Sequence, residues 1–559
     1  METQTDPLSR YPDIVRTLLT ARNITTPEEV EAFLNPDFDK HIHDPFLMKG
    51  MEKSVERILK GISENEKIVI YGDYDCDGIP GSTVLHDFFK KIGYANFKNY
   101  IPHRHSEGYG LNIPAIEKLW DEGYTLMITV DSGIADVEPV ARANELGMTV
   151  IITDHHLPIR KEEKDFLPPA YAILNSKQED DPYPYKMLCG SGVAWKLVCA
   201  LLARGKFDIP VGWEKWLLDV VGIATVADMV PLDGENRVLA RYGLMVLRKT
   251  RRPGLLALFN KMRMNPRHLT EDDIGFMIAP RINAASRMDE PMLAFELLAT
   301  KDDVRATALA AQLDKLNNTR KGVVAGLAKE IKKRLGERLE LREVIVLGDP
   351  SWKPALLGLA ANSVVEELKR PVFLWGVEGD GGLKGSCRSD GSVDVVELMA
   401  ASGVFIESGG HALAGGFALS KENVHQLEDS LIATYAKVKN DKGVVDTPPA
   451  DLLLSIDQVT PRTHETLALL APYGIGNPKP VCSFESVVVS KIVQFGKREE
   501  HLKLECRSNG RMLPAIAFFT QAERFPSLRE GATITLLAYL EKSFFNNAAE
   551  LRLRIVDIV

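Results

Sequence analysis

No apolar run in the 559 residues is long enough to cross a bilayer. The opening stretch Met1 to Arg10 is polar and lacks the apolar core of a secretory signal. Cysteine is scarce. The six are Cys76, Cys189, Cys199, Cys387, Cys482 and Cys506, and none forms a Cys-x-x-Cys pair. Neither a structural zinc site nor a disulfide framework is therefore indicated. These absences predict a cytoplasmic enzyme with no membrane role. An excess of positive charge is missing as well. The formal net charge is −9, which argues against a protein that coats nucleic acid by bulk charge and leaves room for a locally basic groove. There is no G-x-x-x-x-G-K-[ST] phosphate loop, no Ser-His-Asp or Cys-His arrangement, no short repeat and no low-complexity tract.

What is present is an ordinary globular balance, 45% hydrophobic and 26% charged, in a chain too long for one core. Residues 1–50 read as short helices and loops punctuated by Pro12, Pro27 and Pro36, an N-terminal extension without visible chemistry. From Lys67 the pattern changes. Lys67-Ile-Val-Ile-Tyr71, Leu126-Met-Ile-Thr-Val130 and Thr149-Val-Ile-Ile-Thr153 are short apolar runs with helical segments between them. Such alternation predicts an α/β domain with a parallel sheet, here placed at 51–300. A helical region spans Val193 to Arg263, and a long helix over about 303–335 reads as a connector, bounded at 301–340. A second α/β unit, 341–440, starts at Val344-Ile-Val-Leu-Gly348 and ends in a glycine-rich run, Ser408 to Phe417. The polar stretch 437–450 reads as a linker. Alternating segments at Ser486–Val489, Leu502–Glu505, Thr533–Leu537 and Leu551–Ile555 predict a C-terminal β barrel of the OB kind over 450–559.

The chemistry concentrates at the ends of the predicted strands. Asp73-Tyr-Asp-Cys-Asp-Gly78 follows the first strand, Asp131-Ser-Gly133 the second and Asp154-His-His156 the third. In an open parallel sheet, residues just past the carboxyl ends of the strands line a common crevice. Three nearby carboxylates repel one another unless cations or protons neutralise them. A calcium loop of the EF-hand type is excluded, because its twelfth position would be Val84 and its preceding segment is a strand. Asp228 ends an apolar segment and reads equally as a ligand or as a helix-end residue. Mixed Asp and His ligation suits Mn²⁺ or Mg²⁺, and pairs of such ions, about 3.5–4 Å apart, drive phosphoester hydrolysis without a side-chain nucleophile.

The Asp-His-His triplet at 154–156, together with the motifs at 73–78, 131–133 and 227–228, resembles the DHH family of phosphoesterases in order and placement. The resemblance implies two divalent metal ions, with Mn²⁺ preferred or Mg²⁺. It implies Asp75, Asp77, Asp131, His155 and Asp228 as ligands, Asp73 in the same shell, and His156 assisting at the scissile phosphate. It also implies a DHH-associated (DHHA1) second α/β domain. Over most of residues 50–559 the chain is similar to the long exonuclease branch of that family. Pro102 to Leu111, Ala279 to Met288, Gly385 to Ser389 and Gly409 to Gly416 carry that likeness. It makes Arg104, Ser386 and Arg388 candidates for a 5′ phosphate, and Arg281, Asn283, Arg287 and His411 candidates for strand contacts, since Arg offers a planar fork to phosphate oxygens. Cys76, Ser286 and Ser408 depart from the usual pattern without removing a ligand. Phe495, Phe518, Phe519, Phe544 and Phe545 are available for base stacking in the β module and read equally as core.

The implied activity is stepwise 5′→3′ hydrolysis of single-stranded DNA to 5′-mononucleotides in recombination and repair. The implied partners are single-stranded DNA, a single-stranded-DNA-binding protein and a RecQ-type helicase, and the implied state is a monomer. Two rivals remain. One is a DHH phosphodiesterase for short oligonucleotides or cyclic dinucleotides. The other is a non-catalytic DNA-binding scaffold, disfavoured by the full set of candidate ligands.

Overall fold

The computed structural model describes residues 8–288, 290–379, 381–439, 449–496, 499–545 and 548–559. It divides into two compact units that are discontinuous in sequence. The larger holds the described residues of Pro45–Asp228 and Val246–Val445; the smaller holds those of Met1–Asp44, Met229–Met245 and Asp446–Val559.

In the larger unit the apolar runs become strands β1 (Ile68–Gly72), β2 (Phe97–Tyr100), β3 (Leu126–Val130) and β4 (Thr149–Thr153). A small hairpin follows, β5 (Ile159–Lys161) with β6 (Lys164–Phe166), and then β7 (Ala172–Leu174). The sheet is wholly parallel with order β2-β1-β3-β4-β7. Every residue of β1 and β3 is buried, which explains why these strands are apolar throughout rather than alternating: both faces of a parallel sheet are covered. Because β2 lies on one side of β1 and β3 on the other, the connections leaving β1 and β3 diverge. That makes the β1–β3 boundary a topological switch point, where a crevice opens at the carboxyl ends.

The predicted helical region resolves into helices Gly190–Arg204, Leu218–Ala227, Gly234–Leu247 and Pro253–Met262, and Gly234–Met245 of the third falls in the smaller unit. The connector is a 34-residue helix, Asp303–Gly336, capped by the Asp302 side chain at the backbone N–H groups of Val304 and Arg305. Its Leu327, Ile331 and Leu335 share a core with the second sheet. That sheet contains β8 (Ile345–Gly348), β9 (Val372–Val377), β10 (Leu383–Arg388), β11 (Phe405–His411) and β12 (Ala414–Leu419) in the order β11-β12-β10-β9-β8.

The smaller unit holds β13 (Leu452–Leu453), β14 (Cys482–Phe495), β15 (His501–Ser508), β16 (Arg511–Ala517), β17 (Thr533–Phe545) and β18 (Ala548–Ile558). The order β14-β15-β16-β18-β17 closes by pairing of β17 with β14, and β16 runs parallel to β18. This five-stranded closed barrel is the predicted OB architecture. The sequence pattern did not show β16, where Pro514 interrupts the run. The described part of the N-terminal extension packs into the smaller unit. Leu8, Val15, Leu18, Leu19, Val30, Phe33 and Leu34 lie in one hydrophobic core with barrel residues such as Phe484, Leu504 and Leu536. Arg237, fully buried, donates to the carbonyls of Phe33, Leu470 and Ala471, satisfying backbone groups that burial would otherwise strand. Of the predicted linker, residues 440–448 lie outside the described residues.

Candidate metal centre and phosphate pocket

Each acidic motif is set by the strand it follows. The Asp73 backbone N–H donates to the Val130 carbonyl at 3.0 Å, extending the β1–β3 ladder by one step. Asp75 Oδ1 then accepts from the backbone N–H groups of Asp77 and Gly78, at 2.7 and 3.2 Å, and turns the chain into helix Gly78–Lys91. The Asp131 N–H donates to the Thr153 carbonyl at 2.9 Å, and its φ of +62° places it in the left-handed region. A non-glycine residue held there is strained, a feature that concentrates at functional sites. Asp77 sits at the amino end of helix Gly190–Arg204, where its carboxylate accepts from the N–H groups of Gly190 and Ser191 at 2.6 and 2.7 Å. Helix amino ends favour a carboxylate. Gly190 is required by closeness rather than by dihedral, since a Cβ there would stand 2.6 Å from Asp131 Cβ.

The result is one cluster. Asp73, Asp75 and Asp131 offer ligand atoms within 4.8 Å of one another; so do Asp77, His155 and Asp228, and so do Asp131, His155 and His156. The first two groups share no residue, and His155 Nε2 lies 3.1 Å from Asp131 Oδ1 between them. Asp73 Oδ1, Asp131 Oδ1, Asp228 Oδ2 and both His155 ring nitrogens are buried without a hydrogen-bond partner among the described residues. Orphaned buried polar atoms are costly, and these are oxygen and imidazole donors suited to hard divalent ions. The electrostatics agree. Burial and the charge of Asp75 hold Asp73 well above the usual carboxylate range. Burial and then Asp77, Asp75 and Asp73 do the same to Asp131. Asp228 is pushed up to about 9 by burial and by Asp77 and Asp75, and burial lowers His155 to about 4. Repelling carboxylates beside a neutral imidazole form a cation site, and two disjoint donor groups fit two ions.

Asp154 has a different task. One oxygen accepts from the His155 and His156 N–H groups at 2.7 and 3.1 Å and lies 2.8 Å from His156 Nδ1; the other accepts from the Ile134 N–H at 2.9 Å. It orients His156, whose side chain is 46% exposed and therefore available to a ligand. Burial acts to lower the His156 pKa, and the Asp154 bond and charge outweigh it, so the ring sits above its ordinary value. The sequence reading did not assign Asp154, Tyr109, Gly190 or Ser191. The Tyr109 hydroxyl stands 3.1 Å from His156 Nδ1 and donates to the Asp131 carbonyl at 3.3 Å. Gly108 and Gly110, both at positive φ, flank it, and that Gly-Tyr-Gly signature was legible. The Gly190-Ser-Gly192 start of helix Gly190–Arg204 offers no sequence signal of its own.

The basic candidates divide. Arg104 lies over the Tyr74 ring, 4.8 Å from its centroid. Arg287 is held down at about 10 by burial and then by Arg104 and Arg320, with Asp75 opposing and Arg388 adding to the effect. Arg104 and Arg388 thus gather around Arg287, which itself faces Asp75. Arg388 Nη2 also occupies the space that a Cβ on Gly358 would take, 2.6 Å away. Ser386 lies two residues before Arg388 on β10 and so shares its face. Arg281 is instead paired with Asp314 at 2.8 Å. Asn283 Oδ1 accepts from the Cys76 N–H at 2.8 Å, holding the first acidic turn. His411 is exposed at the end of β11, where it pairs with Ala414, the β12 residue whose other neighbour is Arg388. In the barrel, the Phe495, Phe518 and Phe519 rings surround His501 at 5.1, 5.4 and 4.9 Å. The Phe544 and Phe545 side chains lie outside the described residues.

A carboxylate–histidine centre at a parallel-sheet switch point, edged by gathered guanidinium groups, defines a metal-dependent phosphoesterase of the DHH class. The comparisons narrow the class. Residues 67–225 match the DHH family, N-terminal domain; 341–437 match the DHHA1 domain; and 450–557 match the RecJ OB domain. The chain is 34% identical to the single-stranded-DNA-specific exonuclease RecJ of Bacillus subtilis, over 97% of this chain and 67% of that one. It is 33% identical to that of Haemophilus influenzae, over 93% and 92%. The crystal structure of RecJ in complex with Mn²⁺ from Thermus thermophilus superposes with a TM-score of 0.78 at 26% identity, covering 99% of this chain and 77% of that one. The chain belongs to the RecJ family of single-stranded-DNA-specific exonucleases.

Proposed function

We propose that the protein is a metal-dependent exonuclease that hydrolyses single-stranded DNA in the 5′→3′ direction and releases 5′-mononucleotides. The observation that carries this is the adjacency of two features: six buried or part-buried candidate ligand side chains in two disjoint groups, and guanidinium groups gathered around Arg287, which faces Asp75. Asp73, Asp75 and Asp131 would hold one divalent ion, and Asp77, His155 and Asp228 the other, Mn²⁺ or Mg²⁺. When bound, such a pair supplies Lewis acidity to an attacking water and to the phosphate oxygens. The chain's own residues do the rest. Asp154 fixes His156 toward the open side of the cluster, where the imidazole can donate to a phosphate oxygen. Arg104, Arg388 and Ser386 would take the terminal phosphate, with the half-buried Arg287 beside Arg104 and Arg388, and this would set the 5′ polarity. Asn283 holds the Asp75–Asp77 turn rather than the strand. His411 is kept as a strand-contact proposal on the exposed β11, and Arg281 acts through Asp314.

No helix among the described residues is long and apolar enough to cross a membrane. A cytoplasmic monomer working with a single-stranded-DNA-binding protein and a RecQ-type helicase in recombination and repair fits this reading. The test uses one long DNA strand labelled separately at each end, alone and in blunt duplex, with Mn²⁺. Mononucleotide released at once from the 5′ label, and only from the single strand, is expected. Early release from the 3′ label would reverse the polarity. Survival of the long strand while dinucleotides are cut would move the substrate to short oligonucleotides.

A further inference from the structure

The segment that carries Arg104 is held from two sides. Within its own domain, residues 103–107 form a tight turn. The Glu107 N–H donates to the His103 carbonyl at 2.8 Å, Glu107 Oε2 accepts from the His103 N–H at 2.6 Å, and Glu107 Oε1 accepts from the Tyr100 hydroxyl. The second hold comes from the DHHA1 domain. His105 Nδ1 stands 3.0 Å from Glu378 Oε1, and the two side chains are only 16% and 12% exposed. The backbones meet there as well, since a Cβ on Gly379 would lie 3.7 Å from the His105 carbonyl oxygen. Glu378 sits on the β9–β10 turn, which is itself fixed. Its N–H donates to the Gly382 carbonyl and its carbonyl accepts from the Gly381 N–H, both at 2.9 Å, with Gly381 at a φ of +80°.

The Arg104 guanidinium, one residue from this contact, makes no hydrogen bond or ion pair among the described residues; the face of the Tyr74 ring supports it. Its aim is therefore set by where the turn's backbone is held rather than by a partner of its own. The hairpin that holds the turn is the one that carries Ser386 and Arg388 on β10. A shielded polar pair adds little net stability. What it supplies is direction, because a hydrogen bond weakens steeply when misaligned.

We infer that Glu378 is a positioning residue for the terminal-phosphate pocket. Through His105 it fixes the turn that aims Arg104, and the β9–β10 hairpin thereby keeps Arg104, Ser386 and Arg388 in register across the two domains. The inference rests on the reading of those three residues as the pocket.

The test uses the full-length protein, Mn²⁺ and two oligothymidylates that differ only in a 5′ phosphate or a 5′ hydroxyl. The release of a tritiated 5′-terminal thymidine is followed, because every later end carries a phosphate. Preference is the ratio of kcat/KM for the two strands. Glu378→Ala should lower the preference about tenfold, the scale of a misplaced binding group, chiefly through KM for the phosphorylated strand. The rate on the 5′-hydroxyl strand should stay at the wild-type value. Glu378→Gln keeps an oxygen for the His105 ring and should retain most of the preference. Glu422→Gln, which removes an exposed carboxylate of the same domain, should match the wild type. In an Arg104→Ala background, Glu378→Ala should remove nothing further from the preference. An unchanged preference in Glu378→Ala would overturn the inference. So would an equal loss on both strands, which would make Glu378 a general support of the fold, or a further loss of preference in the double variant. If the wild type shows no preference, or Arg104→Ala keeps it, the pocket reading has failed, and this one with it.

Discussion

Asp131 is the most constrained residue of the cluster: strained at positive φ, pinned to β4, faced by Gly190, and common to two of the three donor groups. Asp131→Asn removes a charge that burial and its neighbours oppose, so the metal-free variant should melt higher than the metal-free wild type. The same change should abolish the Mn²⁺-induced rise in Tm and reduce hydrolysis at least about 100-fold, as expected when a group stabilising developing charge is lost. Calorimetry with and without Mn²⁺ checks both signs. Asp154→Asn keeps the ligands and loosens the aim of His156; a fall in kcat of about 10- to 100-fold with metal affinity nearly intact is expected, measured by kinetics beside metal titration. The clustering of these acidic and histidine side chains is legible because a short motif after an apolar run needs only local geometry: strand, then carboxylate. The pairing of Arg281 with Asp314 and of Asn283 with the Cys76 N–H depends on elements meeting in space, which residue spacing does not encode. Asp228 was ambiguous for the same reason. Only the approach of helix Leu218–Ala227 to helix Gly78–Lys91 decides where its C-cap points.

Those two helices are tied at their far ends by Arg252, whose guanidinium is buried between Asp87 and Asp219 at 2.6 and 2.9 Å. Asp87 lies on helix Gly78–Lys91, and Asp219 on the helix that leads to Asp228. Arg252→Met leaves Asp219 buried without a cation and Asp87 with only the exposed Lys301 at 3.5 Å, and should cost about 3–5 kcal/mol of unfolding free energy, read by denaturant melts. Weakened Mn²⁺ binding should accompany it, since the brace sets the separation of Asp77 and Asp228. At this scale the sequence was informative where a pattern was local. The parallel strands are buried apolar runs, and the 34-residue connector follows from a proline-free helical stretch capped by Asp302. It was uninformative where the partner is distant. Nothing in residues 8–34 reveals that their apolar side chains join one core with barrel residues far along the chain. A barrel strand containing Pro514 does not announce itself by alternation.

For the molecule as a whole, the cluster makes stability depend on metal and pH together. Asp228, raised to about 9, and Asp73 and Asp131, held well above ordinary carboxylates, keep protons in the folded metal-free state that the unfolded chain releases near pH 4. Where the folded state binds more protons, stability falls as pH rises. These groups therefore stabilise the metal-free fold least toward pH 8 to 9. Bound divalent ions replace the protons, so the Mn²⁺-induced rise in Tm should grow steadily from pH 5 to pH 8; a rise independent of pH would contradict the shared buried cluster. The central claim is that two ions in this one cluster carry the hydrolysis of single-stranded DNA. The most direct measurement counts Mn²⁺ bound per chain by equilibrium dialysis, for the wild type and Asp131→Asn, and assays single-strand hydrolysis on the same samples. Two ions in the wild type, fewer than two in the variant, and activity only in the wild type are predicted. Full activity with one ion bound, or two ions and activity retained in Asp131→Asn, would contradict the account.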